Sequence, residues 1–533
     1  MLKTKINPKE IFERNKEFGV KNSASMLTEI IETDADNNKR KEAIKYLALI
    51  SQDVSELQND CYETFESLLI SEEIIIIKCE AAKAIGKLKH EKGLKPLNWI
   101  LEQKQVDNQI KLSVLKAIQQ IRFQDPEVQL YIKELDCKDK SIRDYVTTQL
   151  LSLNPEYLVD VLLNSLKKKQ FSNKHKTELI KLIGYELSSI NLSYGDLSYI
   201  KAKYPNILSK LIRDKSILLN VITHILKEED LDLLNSIITI LELIREEIEN
   251  ALIKLLLLDD FIVKKNAIIL SGKLKLKNAV DLLIINLDNI YNEVSIASIE
   301  ALGEIGDISA VPELLDILDI EDISFEYTDL DMKLYIMDAI KRIYSSNQDA
   351  SYDYLYTSLK KNNNTIRESV AFILGEIGKP EFVQPLIDLL DVRNLDVRKN
   401  TIIALGKIGD LDSIHKLINI LEDDSSYWLI KKVAVDAIFN IVQNNWYRIK
   451  DDENEIKRLM NMQIARLIEH LGNKPDEDFK VKIGLIKILE NYGDQHAISA
   501  LIKRVNDFHR VVRIRVSNAI KKIEERLELE KGN

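Results

Sequence analysis

The sequence predicts an all-α protein in which about 13–15 helix pairs stack into a superhelical α-solenoid. A unit of two amphipathic segments recurs along the chain, and small residues stand at fixed places within it. Gly and Pro are scarce, at 16 and 9 of 533 residues, which disfavours a β fold rich in turns. Since one unit cannot bury both of its apolar faces, neighbouring copies have to cover them.

Residues 395–421 show this unit most clearly. The apolar or small residues that recur there at the spacing of one helix face are Val397, Thr401, Ala404, Leu405 and Ile408. Gly409 and Asp410 follow, and a glycine at this place is typical of a helix C-terminus. A second apolar face starts at Ile414. The stretch is therefore predicted to form a helix, a tight turn and a second helix.

The position of Val397, called the anchor below, recurs through the chain. Equivalent anchors are Lys39, Ile77, Ile110, Ile142, His175, Val263, Val294, Met332, Ile366, Ile430, Val481 and Val512, with Leu233 as a weaker candidate. Lys or Arg follows most anchors, and a glycine stands nine residues after six of them: Gly86, Gly184, Gly272, Gly303, Gly375 and Gly406. Because glycine inside a helix costs about 1 kcal/mol against alanine, these glycines predict close contact between helices of neighbouring repeats.

The clearest copy of the unit suggests a family. It reads Ala301-Leu302-Gly303-Glu304-Ile305-Gly306-Asp307, followed by Ala310, Val311, Leu314, Leu315 and Leu318. This pattern resembles a HEAT repeat, and its spacing of about 31 residues is similar to the short repeats of phycobilin lyases and deoxyhypusine hydroxylases. The resemblance covers most of the chain and implies an α-solenoid. It says little about function, because this repeat serves many functions.

Interruptions in the repeat spacing suggest how the chain is divided. Residues 1–185 and 229–533 are predicted to be HEAT-like repeats, and residues 186–228 an irregular helical joint without a clear anchor. Insertions lengthen the repeats near residues 319–331 and 443–456. Such insertions usually map to loops on one face of a solenoid, often the binding face. The last helix ends in mixed charges and is predicted to be a polar terminal cap.

No catalytic constellation is visible in the sequence. It has no phosphate-binding glycine loop, nucleophile elbow or kinase signature. The hydroxylase resemblance implies two irons held by His-Glu pairs on successive helices, but only His90-Glu91 occurs here. Cys61, Cys79 and Cys137 have no zinc spacing and are predicted to be reduced thiols. We therefore predict a protein that is not an enzyme and has no metal or cofactor.

Two further expectations concern location and aromatic residues. The start of the sequence has no apolar stretch of signal-peptide length, and no apolar run could span a bilayer, which predicts a soluble, cytoplasmic protein. Trp99 lies among apolar neighbours and is predicted to be in the core. Trp446 and Tyr447 lie in an insertion, where they form either an exposed anchor or a lid packed on the repeat.

An acidic region, residues 278–332, stands out between Lys277 and Lys333. It has fourteen acids and no Lys or Arg, hence a charge of −14 against −10 for the whole chain. It is either a solvated face or a docking surface for a protein partner with a basic segment, since a field of one sign steers association. The candidate binding residues are Glu300, Glu304, Asp319, Glu321, Asp322, Phe325, Glu326, Tyr327, Asp329 and Asp331. The two aromatics favour docking, because interface anchors are often aromatic.

A basic patch in the last repeat is a weaker candidate. Its residues are Arg510, Arg513, Arg515, Lys521 and Lys522. A dedicated nucleic-acid binder usually has a continuous basic surface and a basic pI, whereas this chain has a pI near 5.5. Nucleic acid is therefore disfavoured as the main partner.

The leading functional prediction is a non-enzymatic scaffold or adaptor that binds other proteins along an extended helical-repeat surface. Three alternatives stay open on the sequence alone. They are a membrane-trafficking coat or adaptor subunit, a nucleic-acid-associated HEAT protein, and a lyase or chaperone of the phycobilin-lyase class. The sequence leaves the identity of the partner and the oligomeric state undecided.

Overall fold

The computed structural model describes residues 7–103, 105–194, 197–228, 230–318, 329–450 and 455–531. Within these ranges the regular structure is entirely helical, with 32 α-helices and six short 3-10 helices. The predicted all-α solenoid is therefore confirmed. The chain divides into two compact units, Met1–Ala251 and Leu252–Asn533. In the described part of the chain, no helix combines the length and apolar character needed to cross a membrane.

The first seventeen helices begin in the first unit. They are α1 (Pro8–Glu13), α2 (Asn15–Phe18), α3 (Val20–Thr33), α4 (Asn37–Gln52), α5 (Ser55–Ser71), α6 (Ile75–Leu88), α7 (Leu94–Glu102), α8 (Asn108–Ile121), α9 (Asp125–Lys133), α10 (Lys140–Leu151), α11 (Pro155–Leu166), α12 (Asn173–Tyr194), α13 (Leu197–Lys203), α14 (Pro205–Arg213), α15 (Lys215–Ile225), α16 (Leu231–Leu243) and α17 (Arg245–Leu255). The predicted joint at 186–228 is thus helical, and its role as a division between two arrays stays a prediction.

The second unit continues the alternation of two helices per repeat. Its helices are α18 (Phe261–Lys273), α19 (Val280–Ile285), α20 (Asn292–Ile305), α21 (Val311–Ile317), α22 (Asp329–Ser346), α23 (Asp353–Lys360), α24 (Asn364–Ile377), α25 (Val383–Ile387), α26 (Leu395–Ile408), α27 (Ile414–Glu422), α28 (Trp428–Lys450), α29 (Glu455–Asn473), α30 (Phe479–Tyr492), α31 (Gln495–Ile502) and α32 (Arg510–Lys531). The even-numbered helices carry the anchors, and each packs on the next even-numbered helix.

The Gly-Asp pair of the repeat forms the turn between its two helices. Gly306 and Gly409 end their helices in the left-handed conformation, with φ of 75° and 77°. Left-handed backbone is readily accessible to glycine, which lacks a Cβ. Asp307 and Asp410 come next, and each side chain accepts a hydrogen bond from the backbone N–H two residues later. The turn thus ends the first helix and starts a short 3-10 helix that leads into the second.

The mid-helix glycines lie where neighbouring helices touch, as predicted. A Cβ added at Gly375 would stand 2.6 Å from the Cα of Ala404, and one at Gly406 would stand 2.8 Å from the Cα of Ala437. Gly272 and Gly303 face an alanine of the next helix in the same way. Helix backbones are therefore in near contact across these repeats, and the missing side chain makes that possible.

Most anchors are buried, but one assignment is wrong. Val397, Val481 and Val512 are completely buried, whereas Lys39 is exposed. In α4 the buried face is formed by Ala43, Ile44, Leu47 and Ala48. The buried residues of this helix therefore start one turn after Lys39, the residue assigned as its anchor.

The cation that follows the anchor has a structural role that the sequence alone did not explain. Arg143 donates to the carbonyl oxygen of Cys137 at 2.6 Å, and Arg367 donates to that of Leu359 at 3.1 Å. Arg513 donates to the carbonyl oxygen of Asp507 at 2.7 Å. Leu359 lies in the last turn of α23, where backbone acceptors have no partner within the helix, and Cys137 and Asp507 lie in the turns that follow α9 and α31. These three arginines therefore tie successive repeats together.

The expectation that Trp99 lies in the core is wrong. Its side chain is 46% exposed, while Leu97 and Ile100 on the same helix are buried. Around the helix axis, residue 99 lies about 160° from Leu97 and about 100° from Ile100, so its place in an apolar run does not put it on their face. In the insertion near 443–456, residues 443–450 extend α28, and the ring of Trp446 packs on Tyr492 at 4.6 Å.

Candidate partner-binding surfaces

Glu300 and Glu304 lie one turn apart on α20 and so share a face, as predicted. Glu304 forms an ion pair of 2.6 Å with Lys273 on α18. It also lines an open pocket of ≈ 430 Å³ with Lys341, Arg342 and the side chains around them. Glu300 is exposed. The two acids thus differ, because one already has a cationic partner in this chain.

The pKa of Glu300 is raised above its ordinary value. Although the side chain is exposed, partial loss of hydration around its carboxyl group is the main cause, and repulsion from Glu304 adds to it, against a smaller opposite effect of Arg342. When the pKa of a carboxyl group is raised, ionising the group costs more free energy in the folded protein than in water. A cation brought close by a partner would relieve that cost.

Other acids of the acidic region are paired within the chain. Glu293 meets Lys265 at 2.6 Å, and Asp316 meets Lys361 at 3.2 Å. Asp281, Asp288 and Glu313 are exposed. The charge that faces solvent is therefore smaller than the sequence count suggested, since the compensating lysines come from neighbouring repeats outside the acidic region.

The other acidic-region candidates lie outside the described part of the structure. They are Asp319, Glu321, Asp322, Phe325, Glu326 and Tyr327, which fall within residues 319–328. Asp329 and Asp331 belong to the first turn of α22, where the backbone is described and the side chains are not. Their part in binding stays a prediction.

The basic patch of the last repeat is less uniform than its sequence. Arg510 and Arg515 are exposed on α32. Arg513 is half-buried, and its guanidinium donates to backbone carbonyls of the preceding turn. Lys522 pairs with Glu490 at 2.5 Å, and Lys521 approaches Glu525 at 3.7 Å. The structure therefore leaves Arg510 and Arg515 as the cations best placed to meet a partner.

Apolar side chains lie exposed among these cations, which the sequence reasoning missed. Phe508, in the turn before α32, is 92% exposed. Val511 and Ile514 on α32 are about half-exposed, and Val505 is exposed as well. Large exposed apolar side chains that cluster in this way are typical of interaction surfaces. The helical spacing offered a signal, because these residues fall off the buried face that Val512 defines.

Aromatic rings line the starts of three successive anchor helices, α28, α30 and α32. The aromatic row consists of Tyr427, Trp428, Phe479, His509 and Phe508. Neighbouring rings are in contact: the centroids of Phe479 and His509 are 4.7 Å apart, and those of Phe508 and His509 are 5.4 Å apart. The ammonium of Lys480 bridges the gap, 4.4 Å from the ring centroid of Trp428. The row thus crosses three repeats, with ring contacts between the starts of α30 and α32 and the ammonium of Lys480 between those of α28 and α30.

Buried ion pairs connect neighbouring repeats next to the aromatic row. Lys482 and Asp507 meet at 2.7 Å, and both side chains are about 5% exposed. Glu477 accepts hydrogen bonds from His470 at 3.0 Å and from Lys431 at 3.3 Å. Burial alone would raise the pKa of Glu477, but these partners and the backbone N–H of Asp478 lower it to about 2. These ion pairs tie the turn before α30 to α28 and the turn before α32 to α30, the same turns from which the aromatic row starts.

The candidates for chemistry are not assembled into a site. Within the described ranges, no group of three His, Cys, Asp or Glu side chains could hold a metal ion. His90 accepts from the backbone N–H of Lys92 and so caps a 3-10 helix. Cys61 and Cys79 are buried, and burial raises the pKa of both thiols. We find the strongest candidates for function on the surface.

Comparison with known families agrees with the repeat pattern. The family model described as HEAT repeats matches residues 353–438, and the model described as the PBS lyase HEAT-like repeat matches residues 296–319. The HEAT-repeat resemblance is therefore confirmed. No curated protein matches the sequence.

Solved structures similar to the chain are also helical-repeat proteins. Importin beta shares 12% identity, with a TM-score of 0.45 over 98% of this chain and 78% of that one. Kap95p, yeast importin-beta, in a structure with RanGDP shares 12% identity, with a TM-score of 0.42 over 98% of this chain and 80% of that one. Kap121p bound to Ste12p shares 14% identity, with a TM-score of 0.43 over 94% of this chain and 57% of that one. At this identity the likeness concerns the fold.

Proposed function

We propose that this HEAT-repeat protein is a non-enzymatic scaffold or adaptor that binds other proteins along the exposed edges of its repeats. The observation that carries the proposal is the aromatic row, which extends over the starts of α28, α30 and α32. Tyr427 is 49% exposed and Phe508 is 92% exposed, so both ends of the row are open to a partner. Aromatic side chains bury a large area with few rotatable bonds, which suits them to protein interfaces.

The acidic region is the second part of the proposal. Its charge suits a partner with a basic segment, which would meet Glu300 and the acids of 319–331. The raised pKa of Glu300 supports this, because an added cation would favour the ionised carboxylate. Exposed charges are screened over about 8 Å at physiological ionic strength, so binding here should weaken with salt.

Site-specific photo-crosslinking tests the proposal. A photoreactive phenylalanine replaces Tyr427 or Phe508 in the aromatic row, and Tyr185 in a matched control. Tyr185 is 60% exposed on α12, so it reports what any exposed tyrosine captures. We expect the two row positions to capture discrete proteins from native cytosol that Tyr185 does not capture. Equal capture at all three positions would refute a binding role for the row.

The same experiment separates the alternatives. Adducts to nucleic acid at Tyr427 or Phe508 would favour a nucleic-acid-associated protein. Adducts to vesicle-coat components would favour a trafficking subunit. Adducts to a pigment protein would favour a lyase or chaperone, the activity from which one of the matching repeat models takes its name.

A further inference from the structure

We propose that the C-terminal face of this chain binds the acidic segment 319–331 of a second copy. The C-terminal face is defined by Val505, Phe508, Arg510, Val511, Ile514 and Arg515. The inference rests on the proposed function, in which the acidic region binds basic partners, and it names one such partner as another copy of this chain.

The C-terminal face joins apolar side chains and positive charge. Arg510, Val511, Ile514 and Arg515 lie on one side of α32, opposite its completely buried residues Val512, Val516 and Ala519. Residues 495–523 contain seven Lys or Arg and a single acid, Asp507. That acid is 4% exposed and paired with Lys482. The charge that this part of the chain presents to a partner is therefore positive.

The α32 surface also lacks the feature that packs one repeat on the next. Nine residues after the anchor, six repeats have a glycine, and in five of them it faces an alanine of the next anchor helix at near contact: Gly86, Gly272, Gly303, Gly375 and Gly406. The equivalent position on α32 is Lys521, whose side chain is 78% exposed. The α32 face thus has no close-packing glycine, as α22 has none at Lys341, and it presents a further cation to solvent.

The acidic segment has the complementary chemistry. Residues 319–331 contain six Asp or Glu, no Lys or Arg, and the aromatic residues Phe325 and Tyr327. Carboxylates would meet Arg510 and Arg515, since Arg binds carboxylate with two parallel hydrogen bonds. An aromatic ring would cover Val511 and Ile514. Phosphates of a nucleic acid would satisfy the arginines, yet they would leave these aliphatic side chains exposed.

The segment cannot reach the face of its own chain. The segment joins α21 to α22, and five steps between adjacent anchor helices separate α22 from α32, which at about 9 Å a step is roughly 45 Å. A segment of thirteen residues held at both ends extends at most about 20 Å from its attachment. Binding therefore has to occur between copies. Because the two surfaces differ, such contacts are heterologous and build a row of molecules or a ring.

Association of the full chain tests the inference. Molar mass is measured by light scattering across a concentration series, at about 50 mM and about 500 mM salt. We expect the mass to at least double with concentration at low salt and to return to that of one chain at high salt. R510E/R515E and E321K/D322K/E326K should each stay monomeric. K9E/K21E, two reversals at exposed lysines of the first unit, should associate like the wild type.

Mixing the two variants gives the sharper result. R510E/R515E retains the native acidic segment, and E321K/D322K/E326K retains the native C-terminal face. One native contact can then form between them, so the mixture should associate although neither variant does alone. Circular dichroism of each variant confirms that it is folded.

A wild-type chain that stays monomeric at every concentration in low salt would overturn the inference. Unchanged association in both variants would overturn it as well. If the wild type is monomeric but binds RNA or anionic vesicles, and R510E/R515E does not, the face serves that ligand instead. The proposed function would survive any of these results as long as the acidic region still captures a separate basic protein.

Discussion

Enlarging Gly406 tests the close contact between α26 and α28. An added Cβ would stand 2.8 Å from both the Cα and the Cβ of Ala437. Ordinary carbon–carbon contacts are about 3.5–4.0 Å, so the two helices would have to separate by about 1 Å. Alanine gains about 1 kcal/mol of helix propensity over glycine, whereas overpacking a core costs about 1–3 kcal/mol. We expect G406A to be neutral or up to about 2 kcal/mol destabilising, and G406V to be worse.

Gly472 on α29 provides the matched control. The nearest atoms to a Cβ there are the Nζ of Lys503 at 3.5 Å and the Cβ of Ala500 at 3.6 Å, which are ordinary contacts. G472A should therefore be neutral or slightly stabilising, by up to about 1 kcal/mol. Urea unfolding followed by circular dichroism compares the midpoints of the variants. The reasoning would be refuted if G406A stabilised the protein by about 1 kcal/mol, the full gain in helix propensity, because the contact would then impose no cost.

Three further predictions concern two buried ion pairs and one exposed carboxyl group whose pKa is raised. The pKa of Glu477 is about 2 in the folded protein against an ordinary 4.5, so its ionisation adds stability above pH 4.5 that is lost as the pH falls toward 2. In an acid titration followed by circular dichroism, K431M should therefore lose less stability over this pH range than the wild type does. Replacing Lys482 with Met leaves the buried carboxylate of Asp507 without its 2.7 Å partner, so we expect a cost of about 3–5 kcal/mol in urea unfolding, against no more than about 0.5 kcal/mol for the exposed K521M. Because the pKa of Glu300 is raised, its ionisation lowers the stability of the fold as the pH rises through the ordinary range of a glutamate. E300Q should therefore unfold at a slightly higher temperature than the wild type at pH 7 but not at pH 3. The same difference in unfolding temperature at both pH values would contradict this.

The repeat pattern in the sequence was enough to predict the fold, because each recurring residue type has one physical reason to stand at its position. The buried anchors come from helical spacing, Gly306 and Gly409 from the left-handed turn, and Gly375 and Gly406 from helix contact. The exposed Lys39 and Trp99 show the limit of this reasoning. Each was assigned by its place in a local pattern, and the neighbouring repeat, which decides burial, is not visible in that pattern.

The surfaces were harder to predict, because they depend on residues far apart in the sequence. A count of acids identified the acidic region, but not that Glu304 pairs with Lys273 and Asp316 with Lys361. The aromatic row requires Trp428, Phe479 and Phe508 to be aligned by three separate helix starts. Their positions, two to four residues before an anchor, are the signal that could have revealed the row. Charge reversals at Glu321, Asp322 and Glu326 remain the way to learn what the acidic segment does.

Capture of partners by the immobilised chain tests the central claim most directly. Wild type and E321K/D322K/E326K are incubated with native cytosol at about 50 mM and about 300 mM salt, and the bound proteins are identified by mass spectrometry. The account predicts that the wild type retains a discrete set of basic proteins at low salt. High salt should release them, and the charge-reversed variant should not bind them. Retention of every basic protein by the variant, at unchanged affinity, would contradict the account and leave the acidic region as a solvated face.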